Sequence, residues 1–135
     1  EKKDKKLLKK QSDAMTKLFR KVLGKDKLEV KVERLKNEKV SAVITLSEET
    51  RRLQDMMRMY SISGSDMGSF EGETLVLNAN HKLVQYIIEN EKGEHTPMIC
   101  EQLYDLALLS HKPLEAEAMT RFVQRSNEIM MLLAK

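Results

Sequence analysis

The chain predicts an α+β fold: a small three-stranded antiparallel sheet with packing helices and a C-terminal helical hairpin that forms a four-helix bundle across a dimer. Three observations carry this. Strand-like and helix-like segments are both present but do not alternate strictly, which argues against a doubly wound sheet. The last two helical segments are joined by a short turn at Lys112-Pro113, so they lie antiparallel as half of a bundle. The closing run Ile129-Met130-Met131-Leu132-Leu133-Ala134 is apolar on every side of a helix. Such a helix needs cover all round. A small domain covers one stripe, and a second copy on a twofold axis supplies the rest.

Residues 1–23 read as a helix, with lysines in the first turns and then Met15, Leu18, Phe19, Val22 and Leu23 at helical spacing. Gly24 is its stop, because glycine accepts the left-handed conformation past a helix end. Residues 28–35, LEVKVERL, alternate apolar and charged, which places Leu28, Val30 and Val32 on one face of a strand. After the polar turn Lys36-Asn37-Glu38-Lys39, residues 40–46, VSAVITL, are rich in β-branched side chains and read as the second arm of an antiparallel hairpin.

Ser47 followed by Glu48 and Glu49 starts a helix that runs to about Tyr60. Its apolar face gathers Leu53, Met56, Met57 and Tyr60. Residues 61–73 hold Gly64, Gly68 and Gly72 and read as a mobile loop. Residues 73–77, ETLVL, form a third strand, and Asn78 caps a helix over 79–90 with Leu83, Val84, Ile87 and Ile88 facing the core. Thr96-Pro97 is a cap followed by proline at the first helical position. That helix, 97–110, presents Ile99, Leu103, Leu106 and Ala107 beside a narrow polar strip of Glu101, Gln102 and Asp105. The final helix runs from about 114 to 133, with Met119, Phe122, Val123, Ser126, Ile129, Met130 and Leu133 along one side.

Composition narrows the function. A length of 135 residues suits one domain. No run of about eighteen apolar residues predicts a membrane span. The opening EKKDKKLLKK has no apolar export signal. Cys100 is the only cysteine, so no internal disulfide forms and a reducing, cytoplasmic setting fits. The net charge of +3 does not itself argue for nucleic acid. The first residue is not methionine and the chain opens directly on a helix, so it reads as a piece of something longer.

No catalytic, metal or cofactor residues are expected. His81, His95 and His111 stand too far apart for a compact zinc pattern. No phosphate-binding loop or nucleophile elbow is present, and Glu48-Glu49 suits a helix start better than acid–base chemistry. His81 reads as structural and Cys100 as a small buried side chain. The lysines of residues 2–10 lack interleaved aromatics, aromatic content being 4%, and read as a solvated face. The alternative they offer is a basic nucleic-acid-binding dimeric module.

Several stretches share one likeness. Thr74-Leu75-Val76-Leu77-Asn78-Ala79-Asn80-His81-Lys82-Leu83-Val84 resembles the leucine-asparagine-proline-x-histidine signature in the C-terminal domain of the heat-shock protein 90 chaperone family. Leu103-Tyr104-Asp105-Leu106-Ala107-Leu108-Leu109 resembles that family's next helix. Phe122, Arg125 and Asn127 match the spacing of its last one, and Arg34-Leu35 a short element ending its first strand. The likeness covers about residues 15–133 and is strongest from 73 onward. Ala79 departs from it, standing where the family usually has proline, and the turn after Ser110 is one residue longer than in some bacterial members. The chain stops at Lys135 without the acidic tail that recruits co-chaperones, which resembles the family's bacterial branch.

The resemblance implies that residues 1–24 enter from a preceding domain and that 25–135 form a C-terminal dimerisation domain. It implies no cofactor for this chain, with ATP and magnesium bound by an N-terminal domain of the full-length protein. The expected partners are a second copy and unfolded or partly folded client proteins, with no nucleic acid and no membrane. The dimer contact is expected at Ile99, Leu103, Leu106, Met119, Phe122, Val123, Ile129, Met130 and Leu133. Met56, Met57, Met59 and Met67 form a methionine cluster, soft enough either to fill a core or to contact varied clients. The client contacts expected there are Leu53, Met56, Met59 and Tyr60.

Overall fold

The computed structural model describes residues 2–46, 52, 56 and 73–134. Its elements are α1 (Lys2–Leu23), β1 (Glu29–Glu33), β2 (Ala42–Leu46), β3 (Glu73–Asn78), α2 (Lys82–Glu89), α3 (Thr96–Leu109) and α4 (Ala116–Leu133). Of the helix expected up to Tyr60, positions 52 and 56 are described, both helical; the rest of it lies outside the described residues, as do Leu53, Met57, Met59, Tyr60, Met67 and the loop expected over 61–73 except Glu73, which opens β3. None of the described helices is long and apolar enough to cross a membrane.

The architecture is α+β, but the sheet is mixed and not antiparallel throughout. Its strand order is β1-β3-β2. β3 runs parallel to β1, with Val30 opposite Leu75, and antiparallel to β2, with Ile44 opposite Leu75. The expected hairpin between β1 and β2 therefore does not form. Burial accounts for the difference. Leu75, Val76, Leu77 and Asn78 of β3 are all buried, which only a central strand with both faces covered provides. β1 buries Val30 and Val32 but exposes Glu29, Lys31 and Glu33, as suits an edge strand with one wet face.

Asn78 explains what the 34–41 segment does instead of making a hairpin turn. Its side chain is 0% exposed. Its Nδ2 donates to the carbonyls of Asn37 (3.1 Å) and Val40 (2.7 Å). Its Oδ1 accepts from the amides of Leu35 (3.1 Å) and Asn80 (3.0 Å). In a buried amide with donors and acceptors both satisfied, the protein hydrogen bonds offset the cost of desolvation. Asn78 is thus a hub between two loops and not the cap of α2. His81 caps that helix, its Nδ1 accepting from the amide of Leu83 at 3.1 Å.

The other punctuation follows the sequence closely. Gly24 has φ +67°, and the following amide of Lys25 closes on Arg20 O at 3.1 Å. α3 begins at Thr96 with Pro97 in its first turn, although His95 takes the cap position without a side-chain bond. Thr96 donates its hydroxyl to Asn90 O instead. Gly93 is needed there, since a Cβ at that position would lie 2.6 Å from Thr96 Oγ1.

One core results. Met15 and Phe19 of α1 pack with Val30 and Val32, with Leu75 and Leu77, with Val84 and Ile87 of α2, and with Cys100, Leu103, Tyr104 and Ala107 of α3. α4 contributes none of these residues.

Candidate self-association surface

The last hairpin is asymmetric. α3 turns Thr96, Cys100, Leu103, Tyr104 and Ala107 inward and packs against β2 and α1. Burial raises the Cys100 thiol to about 12, with the Glu101 carboxylate adding to it, so the thiol stays protonated and unreactive at neutral pH. Burial, then the charges of Glu73 and Asp105, raises the Tyr104 phenol to about 12 as well.

α4 buries a single residue, and it is charged: Arg125. Arg125 Nη1 donates to Asp105 Oδ2 at 2.9 Å and to Gln102 Oε1 at 3.3 Å, and Nη2 donates to Glu101 Oε2 at 3.2 Å. Gln102 Nε2 donates to Ser126 Oγ at 3.2 Å, and that hydroxyl donates to Phe122 O at 2.8 Å. The polar strip of α3 therefore faces α4, and a polar clamp holds the hairpin together. Glu101, Gln102 and Asp105 at i, i+1 and i+4 share one helix face, and that face on an otherwise apolar helix was the signal in the sequence for a buried cationic partner.

The clamp leaves most of the large apolar side chains of α4 uncovered. Met130 is 57% exposed, Met131 68% and Leu133 81%. Met119, Val123 and Leu132 are exposed too, and α3 adds Leu106. Of the interface candidates, then, Leu106, Met119, Val123, Met130 and Leu133 lie open, and Ile99, Phe122 and Ile129 are half-buried. Leu103 is the correction: at 2% exposure it belongs to the protomer's own core. An α3 apolar on nearly every side has no periodicity to show which face turns inward. Among the expected client contacts, Met56 is described, and it is 53% exposed.

Elsewhere the described residues offer little chemistry. No group of three or more His, Cys, Asp and Glu among them could hold a metal. His95 lies 3.7 Å from Glu94 at the surface, and His81 is spent as a cap. No protein-family model matches the chain, and no curated protein matches it in sequence.

Proposed function

We propose that this chain is a homodimerisation module of an ATP-dependent chaperone of the heat-shock protein 90 type. The observation that carries the reading is the uncovered apolar face of α4, which ends in Met130, Met131 and Leu133. Monomeric soluble proteins rarely leave a contiguous apolar patch of this kind open to water. Two hairpins related by a twofold axis would cover each other's faces in a four-helix bundle, an isologous contact. The motif residues 74–84, 103–109, Phe122, Arg125 and Asn127 support the choice of family.

In this reading the chain makes and breaks no bonds. ATP and magnesium belong to an N-terminal domain beyond this sequence. Joining two protomers at one end raises the effective concentration of their other ends and so permits closure of a clamp. Leu53, Met56, Met59 and Tyr60 would contact unfolded client segments, with methionine adapting to varied shapes.

The deciding measurement is sedimentation across a dilution series. A dimer that Leu133→Asp converts to monomer supports the reading, and a folded monomer at every concentration ends it. For the client contacts, polar substitution at those four positions should weaken suppression of client aggregation by the full-length protein.

A further inference from the structure

Among the described residues no strand pairs with the outer edge of β1, and α1 occupies it. Ser12 Oγ accepts from the Val32 amide at 2.8 Å. Thr16 shares its hydroxyl proton between Val30 O at 2.9 Å and Ser12 O at 2.7 Å. Arg20 Nε donates to Leu28 O at 2.8 Å. The rungs advance by four residues on the helix while they retreat by two on the strand. Four helical residues rise about 6.0 Å, and two strand residues about 6.6 Å, so the repeats match over three rungs. Further out, Arg34 holds Asp4 through Nε (3.0 Å to Oδ2) and Nη2 (2.8 Å to Oδ1), and its Nη1 donates to Asn80 Oδ1 at 3.0 Å.

We propose that Ser12, Thr16 and Arg20 form a fixed-register coupling between α1 and the edge of β1, through which the direction of α1 is passed to the sheet and to the α3–α4 hairpin. Packing alone would not fix this. Met15 and Phe19 anchor α1 at 0% exposure, but apolar contacts tolerate small rotations and slides. The ladder does not: a small rotation withdraws both hydroxyls, and a slide of one residue misses every partner. The same bonds occupy edge groups that would otherwise pair with another chain. Beyond the sheet, α1 also packs on α3, and α3 carries the Arg125 clamp, so the path to α4 is continuous. The use of such a coupling rests on the reading above, in which α1 enters from a preceding domain.

The test compares Ser12→Ala/Thr16→Val with the parent, both carrying Cys100→Ala and spin labels at Lys6→Cys and Gln124→Cys, diluted with unlabelled chain. The parent should give one narrow distance distribution between α1 and α4. The double variant, with unchanged far-ultraviolet circular dichroism, should give a distribution at least twice as broad. Its Val32 amide should exchange about tenfold faster, the scale of one lost hydrogen bond. A folded double variant with the parent's width and the parent's Val32 exchange overturns the proposal. Should the double variant not fold, Ser12→Ala alone removes the Val32 rung, and unchanged Val32 exchange there overturns it equally. Sedimentation of the same samples reads the dimer separately: a monomeric parent would sink the dimerisation reading while the distance widths still judge the coupling.

Discussion

Arg125 and Asp105 meet at 2.9 Å with side chains only 10% and 13% exposed, and this pair joins α4 to the rest of the protomer. The last helix is thus oriented by charge, and most of its large apolar side chains stay exposed. Arg125→Ala would strand Asp105 without its cation and should cost about 3 kcal/mol in urea unfolding. Arg125→Lys should recover little, because one ammonium does not span Glu101, Gln102 and Asp105 as the guanidinium fork does.

Leu133 and Leu103 should separate association from folding. Leu133 is 81% exposed and Leu103 2%. Leu133→Asp or Met130→Glu should give monomers on sedimentation with protomer stability within about 0.5 kcal/mol, as for a surface change. Leu103→Asp should instead unfold the chain, by placing an unpaired charge in the core.

Asn78 should be intolerant of its closest relative. Asn78→Asp replaces the Nδ2 donor with an oxygen facing the carbonyls of Asn37 and Val40. It should destabilise by roughly 3 kcal/mol, at the upper end for a buried group left unsatisfied, and amide exchange should rise first in the 35–40 segment.

Cys100 and Tyr104 set an alkaline limit. Both groups ionise at about 12 in the folded protein, against ordinary values of 9.0 and 10.0. The unfolded chain therefore releases these protons first. The stability tied to their neutral forms is whole below about pH 9 and falls as pH rises toward 12. Urea midpoints should drop between pH 8.5 and about pH 11, and the drop should be smaller in Cys100→Ala and in Tyr104→Phe, each compared with its own midpoint at pH 8.5.

Local signals were legible in the sequence where the cause was local. The period of two in LEVKVERL, the stop at Gly24 and the proline at 97 each depend on neighbours a few residues away, and each element stands where they place it. The order of the sheet was not legible. β1 and β2 are adjacent in sequence and well patterned for a hairpin, but β3, a segment some forty residues downstream of β1, is apolar on both faces and takes the place between them. Asparagine favours the cap role that the local sequence assigns to Asn78, whereas its burial follows from a loop that folds back from 34–41. Most of the open face of α4 was visible as apolar residues at the chain's end. The inward turn of Leu103 was not, since α3 has little amphipathic contrast.

The strand order has a consequence for biosynthesis. The central strand is the last of the three to leave the ribosome, so neither outer strand has its partner while the intervening residues are still being added. A nascent α1–β1 unit, however, can already close its own ladder of Ser12, Thr16 and Arg20 on the outward side. The side left bare is the one that β3 will fill, so β1 itself offers neighbouring polysomal chains one sticky margin where it would otherwise have offered two.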